Sequence, residues 1–384
     1  MPDIWKVVNT VRYMTLRQWR YRLYYTARNR LIKRKVRHRK SNMIPQPLSL
    51  YYRNDLHRSE SVICADNICK LQFNTVSDLI KKFDNQVDWD LSQEEYRLVC
   101  FKINSFRWLL DLSDAYKYTG NSAYIKKGFE FIDDWHQRNG TVISGDKWNP
   151  YVIAERIMNW IGFCSEYCVM QNKDISLYAG WIYEQARELN VSLEYHLAAN
   201  HLLSEGKALL AAGVFLKDSG FYKSGKKLLD KEFKAQFLSD GGHYERSISY
   251  HVESLQQYFE ALVILTICQD SEASDFAEMM KEPYRYLNGM IGVSGEIPLF
   301  NDAAYDYPFY NAADFLATSG MIYKSSPTNG KIGEYYRRWN ITDFKKENID
   351  WKARDLYEST GYMHHKIKVG KDEYSFFFDA GDGG

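Results

Sequence analysis

A long succession of helical patterns is the feature that most constrains how this chain can fold. Between residues 104 and 292, apolar residues recur at helical spacing in at least seven segments, separated by short turns and by no strand pattern. Helices joined in this way favour stacked antiparallel hairpins. Because no fixed-period repeat is visible, the pattern predicts an irregular α/α toroid rather than a tetratricopeptide or HEAT array.

The pattern changes near the end of the chain. In "STGYMHHKIKVGKDEYSFFFDAGDGG", β-branched and aromatic residues alternate on both sides of the turn "VGKDE", which predicts a β-hairpin. An isolated hairpin is only marginally stable in water, so we expect a β-domain that continues past Gly384. The sequence therefore predicts a helical domain over 1–350, with a basic N-terminal segment, and the beginning of an incomplete β-domain over 351–384.

The net charge of +1 conceals an asymmetry. Residues 1–40 contain thirteen Lys and Arg against one acid, Asp3, whereas the remainder carries 37 bases against 48 acids. A basic segment of this kind favours nucleic acid, anionic lipid or an acidic polysaccharide as a partner. The alternative is a helix with a solvated basic face whose aromatic residues pack on the rest of the protein.

No apolar run approaches the roughly 20 residues of a membrane span, and residues 1–18 lack the apolar region of a secretory signal. By sequence we therefore expect a chain without a transmembrane segment that remains in the cytoplasm. The six cysteines have no metal-ligand spacing, and we expect them to be reduced thiols in packed positions.

Two polar clusters interrupt the helical patterns. "AANHLLSEGKALLAAG" opens with Asn200 and His201 and places Ser204 and Glu205 one turn later. On a helix, His201 and Glu205 share a face, so the carboxylate can orient or charge the imidazole. The alternative for His201 is a histidine at a helix start that is hydrogen-bonded to a neighbour. The second cluster is "DGGHYERSISYHVESL", some forty residues later.

The order of these motifs resembles a known family. "PYVIAERIMNW", "NHLLSEGKALLAAG", "DGGHYERSISYH" and "IPLFNDAA" precede strands ending in "FFDAG", and the basic "TVRYMTLRQWRYRL" comes before them all. Together they resemble the heparinase II/III family of polysaccharide lyases over nearly the whole chain. One departure is "STGYMHH", where the family would have a Ser-Gly pair. The resemblance implies an incomplete (α/α) toroid, then a truncated antiparallel β-sandwich, and β-elimination on uronic-acid-containing glycans.

β-Elimination of a 4-linked uronide needs three kinds of group: a base for the C5 proton, a hydrogen-bond donor for the developing enolate, and an acid for the leaving oxygen at C4. Asn200 matches the asparagine that neutralises the substrate carboxylate in the family. Tyr250 matches the tyrosine that acts as acid and, in some members, as base. We expect His201 to assist as base or as a second neutraliser.

The segment before and after Tyr250 holds further candidates for substrate binding. A phenol with a pKa of about 10 needs positive charge nearby to act as a base at neutral pH. Arg246, at i,i+4 to Tyr250 if the segment is helical, and His251 are the candidate suppliers. The two glycines allow a tight turn and a close approach of backbone to ligand. We expect His243 and Glu245 to line or brace the loop.

Residues in "WNPYVIAERIMNW" suggest sugar binding: Trp148, Arg156, Asn159 and Trp160. Arg pairs bidentately with carboxylates and Trp can stack on a pyranose, whereas packing in the core is the alternative for each. Asn301 and Asp302 in "LFNDAA" lie on a loop that can face the cleft.

No cofactor is visible in the sequence. His364 and His365 fall in a predicted strand whose successive side chains face opposite ways, so we do not expect them to bind one metal together. The resemblance places a further catalytic histidine, and in some members a structural metal, in the part of the β-domain that would follow Gly384.

The leading hypothesis is a lyase for an acidic polysaccharide: heparin-like, heparan-like, alginate-like or a bacterial exopolysaccharide. The rival is a non-catalytic polyanion-binding module that uses the basic segment and an aromatic groove. An RNA-binding role is disfavoured by the acidic remainder of the chain, so no nucleic-acid partner is expected. The family analogy favours a periplasmic or extracellular location over the cytoplasm.

Overall fold

A computed structural model describes residues 16–31, 36, 44–48, 58–75, 79–91, 97–197, 200–293, 295–301, 303, 312–327, 344, 346–352 and 354–381. Over these ranges the chain is mostly helical, with a small antiparallel sheet near its C-terminal end. Asp302 and residues 1–15 of the basic segment lie outside the described residues.

The helices are α1 (Leu16–Leu31), α2 (Arg58–Cys69), α3 (Arg97–Asn104), α4 (Leu109–Thr119), α5 (Ala123–Asn139), α6 (Pro150–Tyr167), α7 (Ile175–Ser192), α8 (Asn200–Leu216), α9 (Ser219–Gln236), α10 (Ile248–Ile267), α11 (Ala273–Met279), α12 (Lys281–Gly289), α13 (Ala312–Ala317) and α14 (Ser319–Ile322). The strands are β1 (Gln72–Asn74), β2 (Ile80–Lys82), β3 (Leu356–Tyr357), β4 (Tyr362–Val369) and β5 (Asp372–Asp379). β1 pairs with β2, and a second sheet has the order β3-β4-β5.

Consecutive helices pair as hairpins, and every second helix contacts the next hairpin. α4 packs on α5 and α6, while α8 packs on α6, α7, α9 and α10. A buried ion pair between Lys207 of α8 and Glu260 of α10 joins two of these helices. Because each hairpin reverses the chain, α6, α8 and α10 run in the same direction and begin at the same end of the array. This arrangement is the predicted α/α toroid, and the mainly helical fold class is confirmed.

Capping residues explain where the helices begin at this end. The Asn149 side chain accepts a hydrogen bond from the Tyr151 backbone N–H at 2.9 Å, and Pro150 occupies the first position of α6. Ser247 caps α10 by accepting from the backbone N–H of Tyr250 at 3.4 Å. Met280 separates the consecutive helices α11 and α12.

The predicted β-hairpin is confirmed. β4 and β5 pair antiparallel from Tyr362 opposite Asp379 to Val369 opposite Asp372. The turn between them contains Gly370, whose φ of 64° suits a residue without a side chain. Whether a domain boundary falls at 350/351, and whether these strands belong to a β-sandwich, stay predictions.

The hairpin packs against the helical array rather than standing apart from it. The Thr360 backbone N–H donates to Asp240 Oδ2 at 2.8 Å, and the Val293 N–H donates to Ser375 Oγ at 3.0 Å. His364 Nδ1 donates to the carbonyl of Gly289 at the end of α12. The sheet thereby supports the loop that leads into α10. No helix in the described part of the chain is both long and apolar enough to cross a membrane.

Candidate active site

The first turns of α6, α8 and α10 come together at one end of the array. Tyr151, the second residue of α6, stacks on His201, the second residue of α8, with ring centroids 4.6 Å apart. Burial raises the pKa of Tyr151, and the carboxylates of Glu155 and Glu253 add to the rise. Since Glu253 lies one turn after Tyr250, the start of α10 faces this pair. We call Tyr151, Glu194, Asn200, His201 and Tyr250 the helix-end cluster.

His201 is held by an acid from the preceding loop. Its Nδ1 lies 2.8 Å from Glu194 Oε2, and the imidazole side chain is 31% exposed. A carboxylate beside Nδ1 keeps the proton on that nitrogen and leaves the lone pair on Nε2, the form that a general base requires. Asn149 Nδ2 donates to the other carboxylate oxygen at 3.3 Å, so the α6 cap also positions Glu194.

Glu205 does not have the predicted role. It is fully buried, and its Oε2 accepts a hydrogen bond from the Glu194 backbone N–H at 3.0 Å. Burial raises the pKa of Glu205 well above its usual range, and the neighbouring Glu194 charge raises it further. The partner of His201 is therefore Glu194, while Glu205 anchors the backbone of the segment that carries Glu194.

Asn200 and Tyr250 occupy equivalent places on neighbouring helices. Asn200 is the first residue of α8 and is half-buried, and no hydrogen bond joins its amide to another of the described residues. Tyr250 is the third residue of α10 and is also half-buried. Both residues lie in the first turns of helices that begin at the same end of the array as Tyr151 and His201.

The two glycines of the loop before α10 lie against other parts of the chain. Gly241 has a φ of 88°, and a Cβ there would lie 2.3 Å from the Glu282 carbonyl oxygen. A Cβ on Gly242 would lie 2.1 Å from Thr360 Cγ2. The glycines therefore permit a close approach of α12 and the sheet segment to this loop.

Arg246 is not one helical turn from Tyr250, because α10 begins only at Ile248. Arg246 has a φ of 54°, and its carbonyl accepts a hydrogen bond from Asn301 Nδ2 at 3.0 Å. The predicted i,i+4 pairing is wrong. Its guanidinium lies near the end of β5, where a Cβ on Gly381 would be 3.3 Å from Nη1.

The two histidines of this segment are neutral and buried. Burial lowers the pKa of His251 to about 4, and its Nε2 donates to the Pro283 carbonyl at 3.0 Å. Burial likewise lowers the pKa of His243 to about 3. Glu245 Oε2 lies 3.8 Å from His243 Nδ1, but an uncharged imidazole forms no ion pair with it. The prediction that His251 supplies positive charge to Tyr250 is therefore wrong, and His243 braces the loop.

The four residues predicted to bind sugar from "WNPYVIAERIMNW" are all buried. Arg156 is fully buried, lies 3.9 Å from the Trp135 ring centroid, and donates to Gln185 Oε1 at 2.6 Å and to backbone carbonyls. Asn159 donates to the carbonyls of residues 105 and 155. These contacts correct the predicted groove-facing role. We call Trp135, Trp148, Arg156, Trp160 and Gln185 the Arg156 cluster.

Tyr151 and Glu194 are site residues that the sequence interpretation missed. Tyr151 follows a Pro at a helix start, a position that exposes a side chain at the end of the array. Glu194 is an acid a few residues before an Asn-His pair. Arg107 opposes the rise in the pKa of Tyr151, which places one positive charge close to the helix-end cluster.

Asn301 braces the structure at the edge of this region, since its amide also donates to the Tyr362 hydroxyl at 2.8 Å. Its neighbour Asp302 lies outside the described residues. In the part of the chain that the structure covers, no group of three or more His, Cys, Asp or Glu is arranged to hold a metal ion.

A comparison with sequence models of known families shows to which family this chain belongs. The sequence model described as Heparinase II/III N-terminus matches residues 4–315. The chain belongs to the heparinase II/III family. The resemblance drawn from the order of the motifs is thereby confirmed.

Curated relatives of this heparinase II/III chain include heparin-sulfate lyases. The protein from Bacteroides thetaiotaomicron is 24% identical over 58% of this chain and 34% of its own length. The lyase from Pedobacter heparinus is 24% identical over 47% of this chain and 28% of its own length. The chain thus spans about a third of the length of the curated relatives it matches.

Solved structures share the fold. A crystal structure of heparinase III aligns with 95% of this chain and 60% of its own chain, with a TM-score of 0.63 and 20% identity. A heparan sulfate lyase from Pedobacter heparinus aligns with 94% of this chain and 56% of its own, with a TM-score of 0.57 and 18% identity. At these identities the likeness establishes the α/α toroid alone.

Proposed function

We propose that this chain acts as a polysaccharide lyase that cleaves heparan sulfate or heparin by β-elimination. The observation that carries the proposal is that α6, α8 and α10 begin at the same end of the toroid. The first turns of α8 and α10 carry the Asn200 amide, the His201 imidazole paired with Glu194, and the Tyr250 phenol. The names of the curated relatives narrow the glycan from uronic-acid polymers in general to heparin and heparan sulfate. Alginate, included in the substrate panel below, tests whether the activity extends to other uronic-acid polymers.

The proposed chemistry assigns one task to each group. The Asn200 amide donates to the uronate carboxylate and stabilises the enolate that forms when C5 loses its proton. His201, with its Nδ1 proton held by Glu194, accepts the C5 proton on Nε2. Tyr250 donates its phenolic proton to the C4 oxygen as the C4–O bond breaks and the C4=C5 double bond forms.

The structure supports His201 over Tyr250 as the base. The phenol would need positive charge nearby to ionise at neutral pH. His251 is neutral, and the Arg246 guanidinium lies near Gly381 at the end of the sheet. Glu253 and Arg107 both act on the cluster through Tyr151, with opposite signs. The contact of His201 with Glu194 is therefore what favours the imidazole as the base.

The proposal assigns residues 1–350 to the catalytic toroid and 351–384 to the beginning of a β-domain. The hydrogen bonds from Thr360 to Asp240 and from the Tyr362 hydroxyl to the Arg246 carbonyl support a role for the sheet in holding the loop before α10. The strands would thereby fix the position of Tyr250 without contacting the substrate.

The test is the ultraviolet absorbance of the unsaturated uronide during incubation with heparan sulfate, heparin and alginate. We expect product from heparan sulfate, with a loss of about 10² to 10⁴ in rate for Tyr250→Phe. Tyr118→Phe, at an exposed tyrosine near the end of α4, serves as the matched control and should retain full rate. If no glycan gives product while heparan sulfate binds Asn200→Ala as tightly as the unaltered chain, the polyanion-binding module is favoured instead.

A further inference from the structure

A second concave site lies between α1 and the C-terminal end of α7. It is a pocket of about 340 Å³ whose walls are dominated by Arg20, Tyr21, Tyr24, Tyr25 and Tyr195. The volume is at the lower end of the roughly 300 to 1,000 Å³ that small-molecule sites occupy, which fits one or two sugar residues. We call this site the tyrosine pocket. It shares no residue with the helix-end cluster.

The rings of the tyrosine pocket are arranged as a wall. Tyr21 lies 4.8 Å from Tyr195 and 6.0 Å from Tyr25, measured between ring centroids, and the Tyr21 and Tyr25 rings are stacked. Tyr24 is 54% exposed at the rim. A tyrosine offers an apolar ring face for sugar C–H groups and a hydroxyl for hydrogen bonds, so such a wall suits a pyranose.

The charges around the pocket select an anion. Arg20 is exposed beside Tyr21, with its guanidinium carbon 5.6 Å from the ring centroid. Lys231 Nζ lies 5.6 Å from the centroid of Tyr195. The described lining residues include no Asp or Glu. A guanidinium among the lining residues, a second cation near Tyr195 and no acid among the described lining residues favour a carboxylate or sulfate on the ligand.

Residues 193–196 connect the tyrosine pocket to the helix-end cluster along the chain. The Tyr25 hydroxyl donates to the Leu193 carbonyl at 2.5 Å, and its ring lies 5.5 Å from that of His196. Tyr195, whose ring lies 4.8 Å from that of Tyr21, directly follows Glu194, which contacts His201. One short segment of chain therefore contributes a side chain to each site.

We propose that the tyrosine pocket binds an acidic sugar residue of the same glycan, at a distance from the ring that reacts. The identity of the ligand rests on the proposed function, whereas the existence of an anionic sugar site rests on the pocket itself. The basic N-terminal segment then takes part in substrate binding through Arg20.

The experiment measures the affinity of a heparan sulfate hexasaccharide in an Asn200→Ala background, where the ligand stays intact. Replacing Tyr21 and Tyr195 together by Ala should weaken binding by about tenfold or more. Arg20→Glu, which reverses an exposed charge without removing a packed ring, should also weaken it. Tyr118→Ala in the same background is the matched control and should bind unchanged.

The outcomes separate this inference from the proposed function. If neither the double replacement of Tyr21 and Tyr195 by Ala nor Arg20→Glu changes the affinity for the hexasaccharide, the pocket assignment is overturned, even if the unaltered chain cleaves heparan sulfate. Weakened affinity supports it, even if no unsaturated product ever forms. A single-stranded RNA oligonucleotide that binds as tightly, with the same sensitivity to these substitutions, overturns the assignment of an acidic glycan.

Discussion

The helix-end cluster and the Arg156 cluster both draw on α6, yet they differ in every property that matters for catalysis. Tyr151, at the second position, stacks on a histidine that is 31% exposed and paired with a carboxylate. Arg156, five residues later, is fully buried and bonded to an amide oxygen and backbone carbonyls. Tyr151, in the first turn of α6, therefore lies beside the candidate catalytic groups, whereas Arg156, deeper in the same helix, holds the toroid together.

The largest effect expected from this comparison is on stability. Arg156→Ala removes the donors to Gln185 Oε1 and two carbonyls and leaves a cavity beside Trp135. We expect the free energy of unfolding to fall by roughly 3 to 5 kcal/mol. Chemical denaturation measures it.

The matched control is Arg97→Ala, because Arg97 is 58% exposed and its ion pair with Asp146 is at the surface. It should change the unfolding free energy by less than about 1 kcal/mol. Equal effects of the two substitutions would contradict the structural role of the Arg156 cluster.

In the helix-end cluster, Asn200→Asp should abolish most of the lyase activity and leave the free energy of unfolding nearly unchanged. The substitution keeps the shape but places a negative charge where a uronate carboxylate is proposed to bind. We expect kcat to fall by at least about 10² to 10³. Steady-state kinetics and a thermal melt of the same sample test this. Loss of activity together with a large drop in melting temperature would mean that Asn200 is structural.

The buried histidines predict how stability depends on pH. His251 keeps a pKa of about 4 in the folded chain against 6.5 when unfolded, so below pH 6.5 only the unfolded state takes up the proton. The free energy of unfolding should therefore decrease from pH 6.5 down to about 4, by about 3 kcal/mol for this residue. His243 should contribute in the same direction.

His251→Gln tests that contribution, because an amide can still donate to the Pro283 carbonyl but does not titrate. Denaturation at several pH values should show a shallower decrease in the variant. An equally steep decrease in both proteins would show that His251 is already charged in the folded state.

The smallest effect concerns the residue that positions His201. Glu194→Gln retains an acceptor near Nδ1 but removes the charge, and we expect kcat to fall by about 10 to 100 fold with little change in KM. Glu205→Gln is the informative comparison, because Glu205 contacts the Glu194 backbone and not the imidazole. A larger catalytic loss from Glu205→Gln would restore the original pairing of His201 with Glu205.

The parts of the fold that depend on local pattern could be predicted from the sequence. The amphipathic runs predicted α4 to α10, and "VGKDE" predicted the β4–β5 hairpin. Both could be predicted because the spacing of apolar residues along a helix or a strand is visible within a short stretch of sequence. Pro150 suits the first turn of a helix, and α6 begins at this residue.

The site could be predicted only in outline. The bond from His201 to Glu194 crosses from a helix to the preceding loop, and no helical spacing indicates it. The sequence also did not indicate that Arg156 and Trp160 are buried, because a helix surrounded by others in a toroid is covered on more than one face. Arg246 is not one turn from Tyr250 because α10 begins only at Ile248. His251 is uncharged because packing against the start of α12 buries it, and the local sequence does not show that contact.

The most direct test of the central claim is a crystal structure of the Tyr250→Phe variant with a heparan sulfate tetrasaccharide bound. The account predicts a uronate whose carboxylate lies within hydrogen-bond distance of Asn200 Nδ2. It also predicts that C5 of that uronate faces Nε2 of His201 and that the C4 oxygen lies beside the ring at position 250. A tetrasaccharide bound with its uronates remote from Asn200 and His201 would contradict it.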